Sequence, residues 1–177
     1  MRRRGEVVVD TMNTSLEVRK IRDAEVAAFE ALRMQIDGES DVMAASTGER
    51  KPQAERILRD IADERLIVLL AFVNGKMAGY LGAQRHHFKK IRHTLYLFMG
   101  VLREYQKIGV GTALLNALEK EACALGMHRL ELNVFAANEV AAKLYHRFGF
   151  VHEGTERDSV LVNGVYGDSF IMGKILN

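Results

Sequence analysis

The apolar positions follow two spacings along the chain, one typical of strands and one typical of helices. Strand-like runs cover, in chain order, residues 16–21, 66–73, 77–84, 94–101, 130–134, 150–162 and 165–175. Helix-like spacing covers residues 23–36, a segment that begins at Pro52, residues 112–125 and residues 139–148. This order predicts a single domain with a mixed α/β (α+β) layout built on one sheet.

Two Asn-Gly dipeptides separate neighbouring strand-like runs. Asn74-Gly75 and Asn163-Gly164 favour the two-residue turn of a β-hairpin, because both positions of that turn need φ > 0. Residues 37–50 lack periodicity and predict a long loop, of a length that is often functional in a compact domain.

Length and charge narrow the class of protein. The 177 residues fit one domain, and 25 Lys and Arg against 23 Asp and Glu leave a net charge of +2. So small a balance argues against a dedicated nucleic-acid or membrane-surface protein. We expect residues 1–14, with the three arginines at positions 2–4, to be a flexible and solvated leader, and residues 15–177 to be the domain.

The cysteine and histidine usage argues against disulfides and metals. Cys123 is the only cysteine, so neither an intramolecular disulfide nor a thiolate metal cluster can form, and a reducing, cytoplasmic compartment is expected. His86, His87 and His93 lie among lysines and arginines, with no cysteine or carboxylate at a metal-ligand spacing. They favour a solvated basic loop over a zinc site. The longest apolar stretches have about half of the ~20 residues that a membrane span requires.

The stretch that follows residues 94–101 suggests an anion site. A turn carrying Gly109 and Gly111 leads into a helix, so backbone N–H groups and the positive end of the helix dipole can converge on a phosphate or pyrophosphate. The alternative is a tight structural turn. A Walker A loop is excluded because no lysine separates Gly111 from Thr112, and a dinucleotide fingerprint is excluded because position 114 is leucine.

A second informative stretch lies about 30 residues further on. Asn138 is well placed to start the helix at 139–148, and Ala142 and Tyr145 follow on one helical face. Tyr145 is either an ordinary core residue of an amphipathic helix or a residue with a chemical role.

Together the two stretches resemble the GNAT superfamily of N-acetyltransferases. Its acyl-CoA loop, Q/R-x-x-G-x-G/A, is matched by residues 106–111. Its second signature, N-x-x-A-x-x-L-Y-x-x-x-G-F, is matched by Asn138, Ala141, Leu144, Tyr145, Gly149 and Phe150. The resemblance covers about residues 15–176, and the late hairpin is similar to those of bacterial amino-acid or ribosomal-protein-type acetyltransferases.

The resemblance implies a mixed, mostly antiparallel sheet of about seven strands with about four flanking helices. The sheet would open between its fourth and fifth strands, residues 94–101 and 130–134. It implies acetyl-CoA as co-substrate without a metal, and direct acetyl transfer to the primary amine of a free amino acid, a small molecule or a protein or peptide N-terminus. The implied acetyl-CoA contacts are Met99, Gly100, Val101, Gln106, Lys107, Ile108, Gly109, Val110, Gly111, Thr112, Asn138 and Tyr145.

The resemblance also names candidate catalytic residues. Tyr145 would protonate the departing thiolate or, in a milder role, orient the thioester. The general base is open: Asn133 stands where some members carry a glutamate. Glu131, two residues earlier, is expected either to act through a water or only to form a salt bridge, and His93 is another candidate. A site without a strong base favours α-amino acceptors.

The acceptor is expected opposite the acetyl-CoA entrance. The 37–50 loop, the first helix and the last hairpin near Tyr166 and Asp168 would wall that side. The loop carboxylates of Asp37, Glu39, Asp41 and Glu49 either attract a cationic amine or only solvate a surface loop.

Two other functions stay open at this point. One is a GNAT fold that binds acyl-CoA as a sensor or structural module without turnover. The other is a nucleic-acid-binding module built on the N-terminal arginines, which the small net charge disfavours. Neither a nucleic acid nor a membrane is expected as a partner, and a homodimer is expected by analogy with the family.

Overall fold

One sheet of eight strands lies between two layers of helices in the computed structural model, which describes residues 7–11 and 14–176. The strands are β1 Val7–Thr11, β2 Thr14–Lys20, β3 Leu66–Val73, β4 Lys76–Arg85, β5 Thr94–Val101, β6 Arg129–Phe135, β7 Val151–Val162 and β8 Val165–Ile175. The helices are α1 Val26–Glu39, α2 Ala54–Ala62, α3 Val110–Ala124 and α4 Glu139–Arg147. The fold class predicted from the sequence is confirmed.

The strand order is β1-β2-β3-β4-β5-β6-β8-β7, and every neighbouring pair is antiparallel except β5 with β6. Within the described residues, the parallel ladder has three pairs, from Thr94 with Arg129 to Tyr96 with Glu131. Beyond Tyr96 the two strands part. The sheet therefore opens between the two strands that the resemblance indicated.

The core has one layer on each face of the sheet. Under α3 and α4, a buried cluster includes Leu114, Leu118 and Leu130. Under α1 and α2, a second cluster includes Phe29 and Tyr80. Each fully buried leucine or phenylalanine contributes about 1.5–3 kcal/mol of transfer free energy, so both helix layers are held by their apolar faces.

Both predicted hairpin turns are present. Asn74 and Gly75 have φ of 49° and 77°, and Asn163 and Gly164 have φ of 52° and 80°. These values match a turn in which both central residues take positive φ. The Asn-Gly signal therefore located two of the strand pairs correctly.

The N-terminal segment differs from the expectation of a flexible leader over residues 1–14. Residues Val7–Thr11 form β1 and pair in register with β2, from Val7 opposite Val18 to Thr11 opposite Thr14. Three consecutive valines favour a strand, and β2 offers them an edge. This strand is the eighth, one more than the seven expected. The arginines at positions 2–4 lie outside the described residues.

The predicted 37–50 loop begins later than expected, because α1 continues to Glu39. The Asp37 carboxylate accepts two hydrogen bonds from Arg50, at 2.6 and 3.1 Å. The buried Glu30 carboxylate accepts one from the backbone N–H of Gln53. Both contacts fasten the connection between α1 and α2 to the helix, so it runs as an anchored loop.

Candidate active site

The opening between β5 and β6 presents two free strand edges. On its far side β5 stays paired with β4 as far as Val101, and β6 stays paired with β8 as far as Phe135. In the described part of the chain, residues 97–101 and 132–135 have no ladder partner across the opening. Such edges expose backbone N–H and C=O groups that an extended ligand can pair with. Met99, Gly100 and Val101 all lie on this edge.

The turn between β5 and α3 gathers backbone N–H groups. Lys107 and Gly109 take positive φ, at 65° and 94°. The first N–H of α3 to bond back along the helix is that of Ala113, to the Gly109 carbonyl at 3.0 Å. The N–H groups of residues 110–112 precede it and point out of the helix end, where an anion is favoured. The Gln106 amide donates to the Val101 carbonyl at 3.2 Å and ties the turn to the strand.

The two glycines of this turn have different roles. Gly109 supplies the left-handed backbone that begins α3, and a Cβ there would meet open space. Gly111 lies inside the helix, where a Cβ would come within 2.9 Å of a Leu144 methyl group. Gly111 therefore makes room for a leucine of the second signature, and its contact with acetyl-CoA stays a prediction.

Asn138 and Tyr145 occupy the start and the buried face of α4. The Asn138 side-chain oxygen accepts a hydrogen bond from the Ala141 N–H at 3.2 Å and caps the helix. The Asn138 amide N–H₂ is not used by this cap. The Tyr145 ring packs edge-on against Phe150, with centroids 5.6 Å apart. Burial, followed by the electrostatic influence of Tyr80 and Tyr96, raises the pKa of Tyr145, so its hydroxyl stays protonated at neutral pH.

Glu131 lies at the apex of the opening. It is the last residue of β6 that pairs with β5. One carboxylate oxygen is 3.5 Å from His86 Nε2, and the other is 3.3 Å from Arg129 Nε. Arg129 also pairs with Glu153. Glu131 therefore belongs to a partly exposed charged network.

His93 lies at the far end of β5. It is exposed and directly precedes the strand, and its ring centroid lies 6.0 Å from that of the tilted His128 ring. Six residues of extended chain separate it from Met99, which corresponds to about 20 Å. The structure does not bring His93 to the free edge of β5.

A hydrogen-bonded bridge crosses the opening at Asn133. Its side-chain amide donates to the Glu156 carboxylate at 2.8 Å, and its backbone bonds the Tyr96 hydroxyl. Burial raises the pKa of Tyr96, and the hydrogen bond from Asn133 opposes that effect. A carboxylate therefore lies beside the position where some family members carry glutamate, but β7 supplies it. Sequence reasoning missed Glu156 because no local pattern links it to Asn133.

Within the described residues, three of the four loop carboxylates, all except Asp41, accept hydrogen bonds from neighbouring residues. Asp37 pairs with Arg50, Glu39 accepts from the Arg103 N–H at 2.8 Å, and Glu49 accepts from the Ser46 N–H at 2.8 Å. These three carboxylates hold the loop, which argues against the expectation that they attract an amine.

In the late hairpin, Asp168 accepts from the Asp158 N–H at 3.0 Å and shapes the irregular part of β7. Tyr166 is two-thirds exposed, near the hairpin turn.

Arg33 is a second residue that sequence reasoning missed. It extends from α1 over three aromatic rings, those of Phe29, Tyr80 and Phe98, at 5.3, 5.9 and 5.4 Å from the ring centroids. Burial lowers the pKa of Arg33, and the neighbouring Arg50 cation lowers it further. In the sequence, the aromatic residues of β4 and β5 predict an ordinary hydrophobic core. Nothing in that pattern indicates that an arginine packs on them.

Two further observations concern the described residues alone. They contain no group of three or more His, Cys, Asp or Glu side chains placed to hold a metal ion. None of their helices combines the length and apolar character that crossing a membrane requires.

Comparison with known proteins agrees with the two signatures. The model of the acetyltransferase (GNAT) family matches residues 32–150. The chain is 30% identical over 158 residues to the L-amino acid N-acetyltransferase AaaT of Escherichia coli, which covers 88% of this chain and 96% of the relative. The chain belongs to the acetyltransferase (GNAT) family and is an N-acetyltransferase.

Solved structures share the fold. The acetyltransferase of the GNAT family from Streptococcus pneumoniae has a TM-score of 0.85 at 29% identity, over 90% of this chain and 99% of that chain. The structure of yncA from Salmonella typhimurium with its cofactor acetyl-CoA has a TM-score of 0.78 at 23% identity, over 92% and 94% of the two chains.

Proposed function

We propose that this chain transfers the acetyl group of acetyl-CoA to the primary amine of a free amino acid, a small molecule or a protein or peptide N-terminus. The observation that carries the proposal is the opening between β5 and β6 combined with the N–H-lined start of α3. The relative that acetylates L-amino acids and the structural neighbour that holds acetyl-CoA support it.

The free edge and the turn fit the two halves of coenzyme A. The backbone of Met99, Gly100 and Val101 would pair with the extended, amide-bearing pantetheine arm. The N–H groups of residues 107–112 would hold the pyrophosphate, which the helix dipole also favours. The Asn138 amide would donate to the arm. The thioester supplies an acyl group that an amine can attack without a covalent enzyme intermediate, so no role is proposed for the exposed Cys123.

Tyr145 is the proposed proton donor to the departing sulfur. A phenol near pKa ~10 that protonates a thiolate near ~8.5 works against about 2 kcal/mol, and burial of Tyr145 widens that gap. The hydroxyl therefore donates a hydrogen bond to the sulfur throughout the reaction, and the proton follows as charge develops there. The same donation orients the thioester beforehand.

Glu131 is the proposed proton acceptor for the amine, acting through a water at the apex of the opening. How strong a base Glu131 must be depends on the free energy needed to deprotonate the acceptor amine. At about pH 7.5 the α-amine of a peptide N-terminus, near pKa ~8, costs under ~1 kcal/mol to deprotonate, whereas an ε-amine near ~10.4 costs about 4 kcal/mol. The α-amine of a free amino acid lies between the two, because its own carboxylate stabilises the ammonium. A partly paired carboxylate suits the first class. His93 stays a prediction, which His93→Gln tests in the same assay.

Calorimetric titration with acetyl-CoA, in parallel with ATP, tests the proposal first. We expect saturable 1:1 binding of acetyl-CoA and far weaker binding of ATP. Release of free thiol with a panel of amines then tests turnover. Absence of binding by the folded protein at millimolar acetyl-CoA would overturn the proposal. Binding without thiol release from any amine would favour the non-catalytic sensor.

The cytoplasmic compartment and a homodimer belong to this proposal too. The first rests on the single cysteine, and the second on analogy with the family. Light scattering coupled to gel filtration measures the mass in solution directly.

A further inference from the structure

Arg33 is a partly buried cation whose carboxylate neighbours are already occupied. On α1, the acids that share its face are Glu30, three residues before, and Asp37, four residues after. Glu30 accepts from the Gln53 N–H, and Asp37 accepts two bonds from Arg50. Within the part of the chain that the structure describes, Arg33 forms no ion pair, and its Nε is buried without a hydrogen-bond partner.

Such an arrangement is costly without an anion. A buried charge that lacks a partner destabilises the fold, and the unpaired Nε loses its hydrogen bond to water. The rings of Phe29, Tyr80 and Phe98 offset part of this cost through cation–π attraction. The ring faces cannot accept the directed N–H bonds of a guanidinium, and the Tyr80 hydroxyl offers only one acceptor oxygen for its several donors. A bound carboxylate would satisfy both the charge and the donors, in the paired geometry that arginine favours.

The unpaired charge and N–H donors of Arg33 lie near the proposed active site. Phe98 belongs to the part of β5 that faces the opening. Its ring lies on the face covered by α1 and α2, whereas Tyr145 and α3 lie on the other face. A molecule that reaches the opening from the α1 side therefore passes Arg33 first.

We infer that Arg33 binds the carboxylate of an α-amino acid acceptor, and this inference rests on the proposed acetyl transfer. An α-amino acid carries its amine on the carbon next to the carboxylate. Holding the carboxylate at Arg33 therefore fixes the amine within a few ångström, beside the edge of β5. Amines without a carboxylate would lack this anchor and would also be repelled by the guanidinium when protonated.

The test compares three acceptors that differ only at the carboxylate: L-leucine, L-leucinamide and 3-methylbutylamine. Kinetic constants are measured at saturating acetyl-CoA for the wild-type protein, Arg33→Gln and Arg33→Lys. Arg33→Gln should lower kcat/KM for L-leucine about 10- to 100-fold, mainly through KM, as expected for the loss of charge-assisted hydrogen bonds. The values for the other two acceptors should change less than about 3-fold. Arg33→Lys should keep part of the preference, because it keeps the charge.

Arg56→Gln is the matched control. Arg56 is an exposed arginine on α2, and its one ion pair among the described residues is with Asp60, one turn away, at 3.6 Å. Its loss should leave all three acceptors unchanged. A purely structural role of Arg33 would lower all three values together, and that result, like an unchanged preference, overturns the inference. Thermal melts of each variant show whether it folds.

Failure of this inference is distinguishable from failure of the proposed function. If the wild-type protein acetylates 3-methylbutylamine or a peptide but not L-leucine, acetyl transfer stands and the role of Arg33 is wrong. If no amine is acetylated, the proposed function fails. Calorimetry then titrates L-leucine into the protein saturated with desulfo-CoA, and binding that Arg33→Gln does not weaken, or no binding at all, overturns the inference.

Discussion

Tyr145 is a packing residue for which we also propose a chemical role. Its ring is part of the core under α3 and α4, and its hydroxyl is shielded enough that burial raises its pKa. The ring alone would be replaceable by phenylalanine, since the contact with Phe150 needs no hydroxyl. The proposed donation to the departing sulfur would account for a buried hydroxyl at this place.

We predict that Tyr145→Phe lowers kcat about 10- to 100-fold, because the departing sulfur loses its donor. The affinity for acetyl-CoA should stay within about 2-fold, since the ring still packs. Steady-state kinetics and calorimetry measure the two effects separately. An unchanged kcat would show that the sulfur leaves without help from this residue.

The pKa of Glu25 makes the stability of the folded protein depend on pH. Two nitrogens of Arg19 donate to its carboxylate at 2.6 and 2.8 Å, and the Arg22 N–H donates at 2.9 Å. These bonds, those of Arg19 foremost, lower the pKa of Glu25 to about 2. In the unfolded chain a glutamate titrates near ~4.3. The pKa is lower in the folded state, so the contribution to stability is present above ~4.3 and is lost as the pH falls towards about 2.

We therefore expect Glu25→Gln to lower the melting temperature at pH 7, and the difference from the wild-type protein to shrink as the pH drops from about 5 to 2. Melting curves at several pH values measure this. Glu55→Gln is the control, since Glu55 is an exposed acid on α2 without an ion pair among the described residues. A difference that stays constant with pH would contradict the role of the carboxylate charge.

At the scale of elements, α3 has a glycine of positive φ at each end. Gly109 has φ of 94° and Gly126 has φ of 65°, and a Cβ would meet open space at both. An alanine at either place is strained by the backbone and by nothing else, at about 1 kcal/mol. The two positions therefore form a matched pair that separates stability from binding.

We predict that Gly109→Ala and Gly126→Ala lower the free energy of unfolding by similar amounts. Only Gly109→Ala should weaken acetyl-CoA binding, by about 10-fold, because it moves the N–H groups that would hold the pyrophosphate. Denaturant unfolding and calorimetry measure the two quantities. Equal weakening by both variants would place the pyrophosphate elsewhere.

Short-range sequence patterns predicted most of the helices and strands. Contacts between residues far apart in the chain could not be predicted from them. The Asn-Gly turns, the start of α4 at Asn138 and the strand at 94–101 follow from short-range rules. The separate role of Gly111 could not be predicted, because Leu144 reaches it from another helix. The anchoring of Asp37 by Arg50 likewise depends on how a long loop folds back.

At the scale of the whole molecule, the sheet consists of two antiparallel halves. Strands β1 to β5 form one and β6 to β8 the other, and three parallel pairs join them. This architecture was predicted only from the resemblance of the two signatures to the GNAT family, and not from the strand pattern itself. The contact of Tyr96 with Asn133 joins the two halves, and that of Asn133 with Glu156 joins two strands of one half. Neither could be predicted, since the partners come together only in the folded sheet.

This division predicts where acetyl-CoA changes backbone dynamics. Amides of residues 97–101 and 132–135 that face the opening should exchange hydrogen about 10-fold more slowly when the protein is saturated, because the ligand pairs with them. Amides between β3 and β4 should change least. Hydrogen-exchange mass spectrometry measures both sets, and uniform slowing across the sheet would contradict binding in the opening.

Gly82 lies directly opposite Phe98 in the β4–β5 ladder, and the Phe98 ring fills the space where a Cβ of residue 82 would be. Even a methyl group there would tilt the ring away from the sheet, towards α1 and Arg33. Under the proposed role of Arg33, the residue at position 82 of β4 would therefore limit the size of the acceptor on that side without touching it. Replacing Gly82 by a larger residue and Phe98 by a smaller one is therefore a way to change the range of acceptors. Both changes concern side chains, so the backbone of Met99, Gly100 and Val101 proposed to bind acetyl-CoA would keep its place.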